Sequence, residues 1–111
     1  MASINNLYVD AGSTYSNIIT VTASNGQPLN LTGYTVASQM RKSYQSSTAY
    51  AFVSNIQSAA NGQIRLQLTD EQSALIPGGR WLYDVEITSS SGVTTRVVEG
   101  IVTVTPQITQ I

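Results

Sequence analysis

The sequence contains no cysteine and no histidine, and it has few charged residues. Without thiols or imidazoles the chain cannot form disulfides, a cysteine nucleophile or the His/Cys ligand sets of common zinc sites. Only 5 basic and 6 acidic residues occur among 111, or 10% of the chain, where about 25% is typical. The net charge of −1 offers no basic field to nucleic acid or to an anionic membrane surface. These absences exclude several function classes without naming an activity.

Most polar residues of the sequence are uncharged, since Ser, Thr, Asn and Gln supply 43 of the 111 residues. The length is that of one domain, and no repeat or linker divides it. We therefore predict a single domain over 1–111, with its core at about 6–105. No segment has the 18 consecutive apolar residues of a membrane-spanning helix, and the first residues do not resemble a signal peptide. We expect no cofactor, no nucleic-acid partner and no membrane partner.

Apolar and polar residues alternate with period two, which is typical of strands that bury one face. Ile64, Leu66 and Leu68 show the pattern clearly. Asn-Gly and Ser-Gly pairs separate such runs and favour tight turns. The sequence predicts an all-β, immunoglobulin-like or fibronectin III-like antiparallel sandwich of about seven strands. The predicted strands cover 6–10, 16–23, 34–44, 50–57, 63–69, 80–89 and 93–105.

One short helical turn is predicted near 70–76. Thr69 has the position of an N-cap, Asp70 and Glu71 suit the first turn, and Gln72 completes a capping box. Pro77 then ends the turn because proline cannot continue it.

The last two predicted strands form a hairpin around a three-residue loop, Ser90-Ser91-Gly92, with Gly92 in the left-handed conformation. This register places Glu86 opposite Arg96 on the wet face and Val85 opposite Val97 in the core. Further along the second strand of the hairpin, the apolar residues that should face the core change from odd to even positions. The strand must therefore contain one extra residue. We predict a β-bulge at Gly100.

The stretch 75–85 resembles the corner between the fifth and sixth strands of fibronectin type III-like domains. Trp81 stands where those domains usually have a tyrosine. Because a buried indole N–H needs a partner, we predict that Trp81 donates a hydrogen bond to a backbone carbonyl of the corner.

Asp84 and Glu86 are the best candidates for acid–base chemistry, because they share one strand face about 7 Å apart. The interpretation we favour is a solvated face whose carboxylates pair with Arg80 and Arg96. We therefore predict that the protein is not an enzyme.

Two further charged pairs have alternative interpretations. Asp70 and Glu71 fit calcium ligands, but helix-start electrostatics account for both. Arg41 and Lys42 fit a nucleic-acid contact, but we favour a charged strand end that protects a sheet edge.

Tyrosines with neutral polar neighbours are candidates for contact surfaces. Tyr8, Tyr15, Tyr44 and Tyr50 can present such surfaces to a glycan or a protein, or can bury the ring and keep the hydroxyl wet. The terminal segments 1–6 and 106–111 carry apolar residues beyond the predicted sandwich, so we expect arms that dock on a partner by strand addition. The candidate interface residues are Ile4, Tyr8, Tyr44, Tyr50, Ile108 and Ile111.

Six motifs follow one another in a fixed order along the chain: Ser24-Asn25-Gly26-Gln27-Pro28-Leu29, Leu31-Thr32-Gly33, Met40-Arg41-Lys42, Asn61-Gly62-Gln63-Ile64-Arg65-Leu66-Gln67-Leu68-Thr69, Pro77-Gly78 with Tyr83-Asp84-Val85-Glu86, and Glu99-Gly100-Ile101-Val102-Thr103-Val104-Thr105-Pro106. By the order of these motifs, residues 15–105 resemble the small immunoglobulin-like virion proteins of tailed bacteriophages. They are similar to the N-terminal sandwich domain of siphophage upper baseplate proteins and to small virion proteins of cyanophage-type myophages.

The resemblance implies a non-enzymatic structural protein of a virion, as a head decoration or as a tail or baseplate component. It implies assembly in the host cytoplasm, contacts with other virion proteins and self-association, and it carries over no catalytic residue. The alternative is a module that binds host-surface glycans.

Overall fold

The computed structural model of the protein describes residues 3–23 and 25–108. Within these residues it contains nine strands and one helix. No helix in this part of the chain is long and apolar enough to cross a membrane. The elements are β1 (Ser3–Ile4), β2 (Leu7–Asp10), β3 (Tyr15–Thr20), β4 (Thr35–Arg41), β5 (Ala49–Ala51), β6 (Val53–Ser58), β7 (Gln63–Leu68), α1 (Asp70–Ala74), β8 (Gly79–Thr88) and β9 (Thr94–Thr105).

The strands form two sheets. The larger has the order β1-β9-β8-β4-β5, with β2 also paired to β9, and the smaller has the order β3-β7-β6. Three adjacent strands in each sheet, β9-β8-β4 and β3-β7-β6, follow the connectivity of an immunoglobulin sandwich. The predicted all-β sandwich is confirmed.

Buried aliphatic and aromatic side chains fill the space between the sheets. Alternate residues of β7 and β8 face inward, as the period-two pattern predicts. The largest buried side chains include Leu31, Met40, Ile64, Leu66 and Ile87.

The N-terminal strands run parallel to β9, so the sandwich is not wholly antiparallel as predicted. Ser3 lies opposite Val98, and Leu7 lies opposite Val102 in the same register. The prediction of a free N-terminal arm over 1–6 is therefore wrong from Ser3 onward, because this segment is part of the larger sheet.

The predicted strand 50–57 is instead two strands that belong to different sheets. The backbone N–H of Phe52 donates to the carbonyl of Ser38 on β4 at 3.0 Å, and the pairing with β7 begins at the next residue, Val53. Phe52 itself is buried at the crossing point. Phe52 contributes to the core at the point where the chain changes sheets, so the pattern of apolar residues continues across the crossing. This pattern alone therefore predicts one strand where the structure has two.

Helix α1 has the predicted cap. The Thr69 side chain accepts from the Gln72 N–H at 3.1 Å, and the Gln72 side chain accepts from the Thr69 N–H at 2.8 Å. The buried hydroxyl of Ser73 ties the helix to the loop before β3, since it accepts from the Gly12 N–H at 3.0 Å and donates to the Ser13 carbonyl at 2.7 Å.

The hairpin between β8 and β9 matches the prediction only near its tip. Gly92 has a φ of 90°, and Glu86 lies opposite Arg96, as predicted. Val85, however, lies opposite Val98 and not Val97, because the register shifts between Val85 and Glu86. The predicted bulge at Gly100 is therefore wrong, since the shift lies nearer the hairpin tip.

The indole N–H of Trp81 donates to the carbonyl of Pro77 at 3.0 Å, which confirms the predicted corner bond. The Tyr50 ring packs edge-on against Trp81 with centroids 5.3 Å apart. The Lys42 ammonium lies over the same indole, with its Nζ 4.9 Å from the ring centroid. Trp81 thus links the start of β8 to β5 and to the residue that follows β4.

Candidate functional site

A depression of about 560 Å³ lies on the outer face of the larger sheet. It is built from outward-facing side chains of β1, β4, β8 and β9 and from the turn after β4. We refer to it as the outer groove. The residues that define it are Ile4, Gln39, Arg41, Tyr44, Leu82, Asp84, Glu86, Arg96, Glu99 and Ile101.

One part of the outer groove is apolar. Leu82 lies opposite Ile101 across the β8–β9 ladder, and Ile4 lies on the neighbouring strand β1. Ile4 is 77% exposed and Tyr44 is 76% exposed. Large apolar side chains that gather at one exposed surface mark an interaction site. The outer groove therefore combines several exposed or partly exposed apolar side chains at one surface.

The other part of the outer groove is a charge cluster around Arg96. Its Nε lies 3.1 Å from Asp84 Oδ2, and its Nη1 lies 3.3 Å from Glu99 Oε2. The negative charge of Asp84, followed by the hydrogen bond and charge of Glu99 and the charge of Glu86, raises the pKa of Arg96. Exposed pairs of this kind contribute little to stability. With three carboxylates near Arg96 the cluster carries a net negative charge that can select and orient a partner, and Arg41 adds one positive charge to the same groove.

Arg41 organises the turn that carries Tyr44. Its Nη1 donates to the Ser46 carbonyl at 2.6 Å, and its Nη2 donates to Gln39 Oε1 at 3.2 Å. The interpretation of Arg41 and Lys42 as protectors of a sheet edge is wrong, because β4 lies between β8 and β5. Arg41 instead braces the turn at the rim of the groove.

Tyr83 lies beneath the outer groove and connects it to the core. Its hydroxyl donates to the backbone carbonyl of Asn5, between β1 and β2. Burial is the main cause that raises the pKa of this hydroxyl above its ordinary value. Gly100 lies opposite Tyr83, and the absence of a side chain there lets Asn5 approach closely. The Ile101 N–H then donates to the Asn6 side chain at 3.1 Å.

The structure brings two predicted interface residues, Ile4 and Tyr44, into one groove. Tyr8, which is 74% exposed, lines a smaller depression of about 350 Å³ that adjoins the groove at Asn6 and Ile101. Three of the six candidates, Ile4, Tyr8 and Tyr44, therefore lie on this side of the molecule, and their interface role stays a prediction.

The other predicted candidates lie elsewhere. Tyr50 is half-buried against Trp81, and Tyr15 is half-buried with its ring centroid 6.0 Å from that of Phe52. Ile108 is exposed and does not line the groove. Ile111 lies outside the described residues.

Asp84 and Glu86 both line the outer groove, and Asp84 has the predicted partner Arg96. Arg80, the second predicted partner, forms no ion pair with any residue in the described ranges. Sequence analysis missed Ile101 and Glu99 as groove residues. The one available signal was Leu82, an apolar residue on the outward phase of β8, which lies opposite Ile101.

The fold places the chain among immunoglobulin-like β-sandwich proteins. No protein-family model and no curated protein matches the sequence. Among solved structures the chain is similar to the N-terminal domain of phage TP901-1 ORF48, with a TM-score of 0.57 and 19% identity over 90% of this chain and 84% of that one. It is also similar to an internalin-like protein of Listeria monocytogenes, with a TM-score of 0.50 and 13% identity over 94% of this chain, which spans 28% of that protein. At these identities the likeness shows the fold.

Proposed function

We propose that the protein is a non-enzymatic structural component of a tailed-phage virion. It joins other virion proteins through the outer groove. Its place in the particle is a head decoration or a tail or baseplate position, and it is assembled there in the host cytoplasm.

Two likenesses support the phage assignment. The ordered motifs between Ser24 and Pro106 resemble small virion proteins of tailed phages. The fold is similar over most of both chains to the N-terminal domain of a phage protein. The two likenesses rest on different features, motif order and backbone geometry.

The observation that carries the assembly role is the composition of the outer groove. Ile4 and Tyr44 each expose about three-quarters of the side chain, and they border an acidic cluster. A central apolar patch with charged groups at its side is the composition of a protein–protein contact. The carboxylate of Glu86 forms no ion pair within the described ranges, so it is free to meet a cation of the partner.

The rest of the surface suits permanent assembly in many copies. The outer face of the smaller sheet is largely neutral and polar; Arg65 bridges it by donating to Gln57 at 2.9 Å and Ser16 at 3.0 Å. Neutral hydrogen-bonded contacts depend little on salt, unlike contacts between charged surfaces.

Ile4→Glu is expected to lower incorporation into particles about tenfold or more. The change puts a carboxylate beside the acidic cluster and removes an exposed apolar contact, and central contacts of this kind carry more than about 1 kcal/mol of binding. Because Ile4 is 77% exposed, the fold should persist, with a melting temperature lowered only slightly by the new carboxylate opposite Glu99. Incorporation is measured by quantitative mass spectrometry of particles complemented with the variant.

The matched control is Val93→Glu, which changes a 62% exposed apolar side chain in the β8–β9 loop, away from the groove. It should leave incorporation unchanged. If both variants assemble like the wild type, or both fail equally, the outer groove is not the contact surface.

One observation favours the alternative of a glycan-binding module. Tyr44 offers an exposed ring in the outer groove, which the polar residue Gln39 also lines. Glycan-array binding that disappears with Tyr44→Ala would favour this alternative, whereas a silent array together with assembly into particles favours the structural role. Tyr50→Ala is not a usable test, since that ring packs on Trp81.

A further inference from the structure

Most edges of the two sheets carry a feature that hinders pairing with another chain. Strand β5 has only three residues. Strand β6 has a register irregularity between Ile56 and Ser58. The edge formed by β1 and β2 is interrupted at Asn5 and Asn6. Short, bulged or broken edges are the usual devices that prevent edge-to-edge association.

Strand β3 has none of these features. Its six residues, Tyr15–Thr20, pair with β7 without a register shift and include no charge, proline or glycine. Within the described ranges β7 is its one strand neighbour. An uncharged, regular edge strand with two adjacent isoleucines is a ready template for strand addition.

The hydrogen-bond pattern shows which backbone groups this edge offers. The Val21 N–H donates to the Gly62 carbonyl at 2.8 Å, in register with the β3–β7 ladder. Backbone groups alternate in direction along an antiparallel strand. Ser16, Ile18 and Thr20 therefore direct their N–H and C=O groups away from β7, toward the open edge.

The side chains of these same three residues are exposed, and they are arranged symmetrically about Ile18. A hydroxyl residue lies two positions before the isoleucine and another lies two positions after it. When two copies of such a strand meet antiparallel, each isoleucine faces its equivalent and each Ser16 faces a Thr20. Apolar β-branched pairs and Ser–Thr hydroxyl pairs are favourable cross-strand neighbours.

We propose that β3 pairs antiparallel with β3 of a second copy, with the two-fold axis at Ile18. The smaller sheets of two molecules then form one continuous sheet, with three residue pairs that each exchange two backbone hydrogen bonds. An isologous contact closes after two copies, as the commonest oligomers do. The contact also accounts for the 43% exposed Ile18 on a polar sheet face.

A contact through six residues per copy is small, so the dimer is concentration-dependent. It uses the opposite sheet from the outer groove and does not depend on the proposed function. Ile4→Glu should leave the dimer intact, so failure of one proposal is distinguishable from failure of the other.

The decisive test uses the absence of cysteine from the chain. Ile18→Cys introduces a single thiol, and its equivalent in the dimer lies about 5.5 Å away between Cα atoms. A short bismaleimide should cross-link this variant to a covalent dimer in high yield. Val53→Cys is the matched control, since Val53 is 45% exposed on the other edge of the same sheet, and it should give at least tenfold less dimer.

A second pair of variants gives a readout without cross-linking. Ile18→Lys places two like charges opposite each other at the axis, so it should be monomeric at concentrations up to about 1 mM by sedimentation velocity. The wild type and Val53→Lys should form a dimer over the same range. Equal cross-linking at positions 18 and 53, or a wild type that stays monomeric throughout, overturns the proposal.

Discussion

Trp81→Ala is expected to lower the free energy of unfolding by about 3–5 kcal/mol, a large share of the about 5–15 kcal/mol that stabilises a typical domain. Trp81 is 3% exposed and packs against the Tyr50 ring. The substitution leaves a cavity at the start of β8 and removes the donor to the Pro77 carbonyl. It also removes the aromatic face beside Lys42. The loss is measured by urea denaturation followed by circular dichroism.

Two further variants separate the contributions. Trp81→Phe keeps most of the ring packing but deletes the indole N–H, so we expect a smaller loss of about 1–3 kcal/mol. Tyr44→Ala changes an aromatic residue that is 76% exposed and should alter stability by less than about 0.5 kcal/mol. If Trp81→Ala is no more harmful than Tyr44→Ala, then Trp81 does not anchor the corner.

Gly100→Ala is expected to detach β1 from the larger sheet. An added Cβ would overlap the backbone carbonyl of Asn5 and lie 3.1 Å from Asn6 Oδ1. Backbone atoms cannot move aside as the end of a flexible side chain can, so the N-terminal segment must shift. Overpacking of this kind costs about 1–3 kcal/mol. The Tyr83 hydroxyl also loses its acceptor, the Asn5 carbonyl.

Hydrogen exchange gives a local readout of this prediction. The Asn5 N–H donates to the Glu99 carbonyl at 2.9 Å, and the Ile101 N–H donates to the Asn6 side chain. Both amides should exchange at least about tenfold faster in Gly100→Ala, since a tenfold change needs only about 1.4 kcal/mol. Thr95→Ala, an exposed change on the same strand, is the control and should have no effect. Unchanged protection of Asn5 in Gly100→Ala would show that the glycine is not required for the close approach.

The predictions from the sequence that were confirmed concern residues that are near one another along the chain. The capping box joins Thr69 and Gln72, and the Trp81 bond spans four residues to Pro77. The Glu86–Arg96 register depends on the one loop between them. In each case the residue types and their spacing fix the local geometry, and little else competes with it.

The features that sequence analysis missed depend on distant contacts. Strand β1 joins the larger sheet by pairing with β9, where Ile4 lies opposite Glu99. These residues are far apart in the sequence, and nothing in a two-residue strand specifies so distant a partner. A glycine within a strand indicates either a bulge or a close backbone approach, and the sequence alone favours a bulge at Gly100. The structure shows a close backbone approach at Gly100, made by the carbonyl of Asn5.

The outer groove was only partly predictable for the same reason. The sequence indicates that Ile4 and Tyr44 are exposed, but the two residues lie far apart in the sequence, and it is the parallel pairing of β1 with β9 that brings Ile4 to the groove that Tyr44 also lines. The outward phase of Leu82 was visible in β8, whereas its neighbour Ile101 depends on the corrected register of β9.

The central claim is that the protein is a structural part of a tailed-phage particle. Quantitative mass spectrometry of purified, salt-washed particles of the phage that encodes it tests this claim most directly. We predict that the chain remains bound at a fixed copy number per particle, with hundreds of copies for a shell or tube position and few for a baseplate position. Its absence from washed particles, while it is abundant in the lysate, would contradict the account.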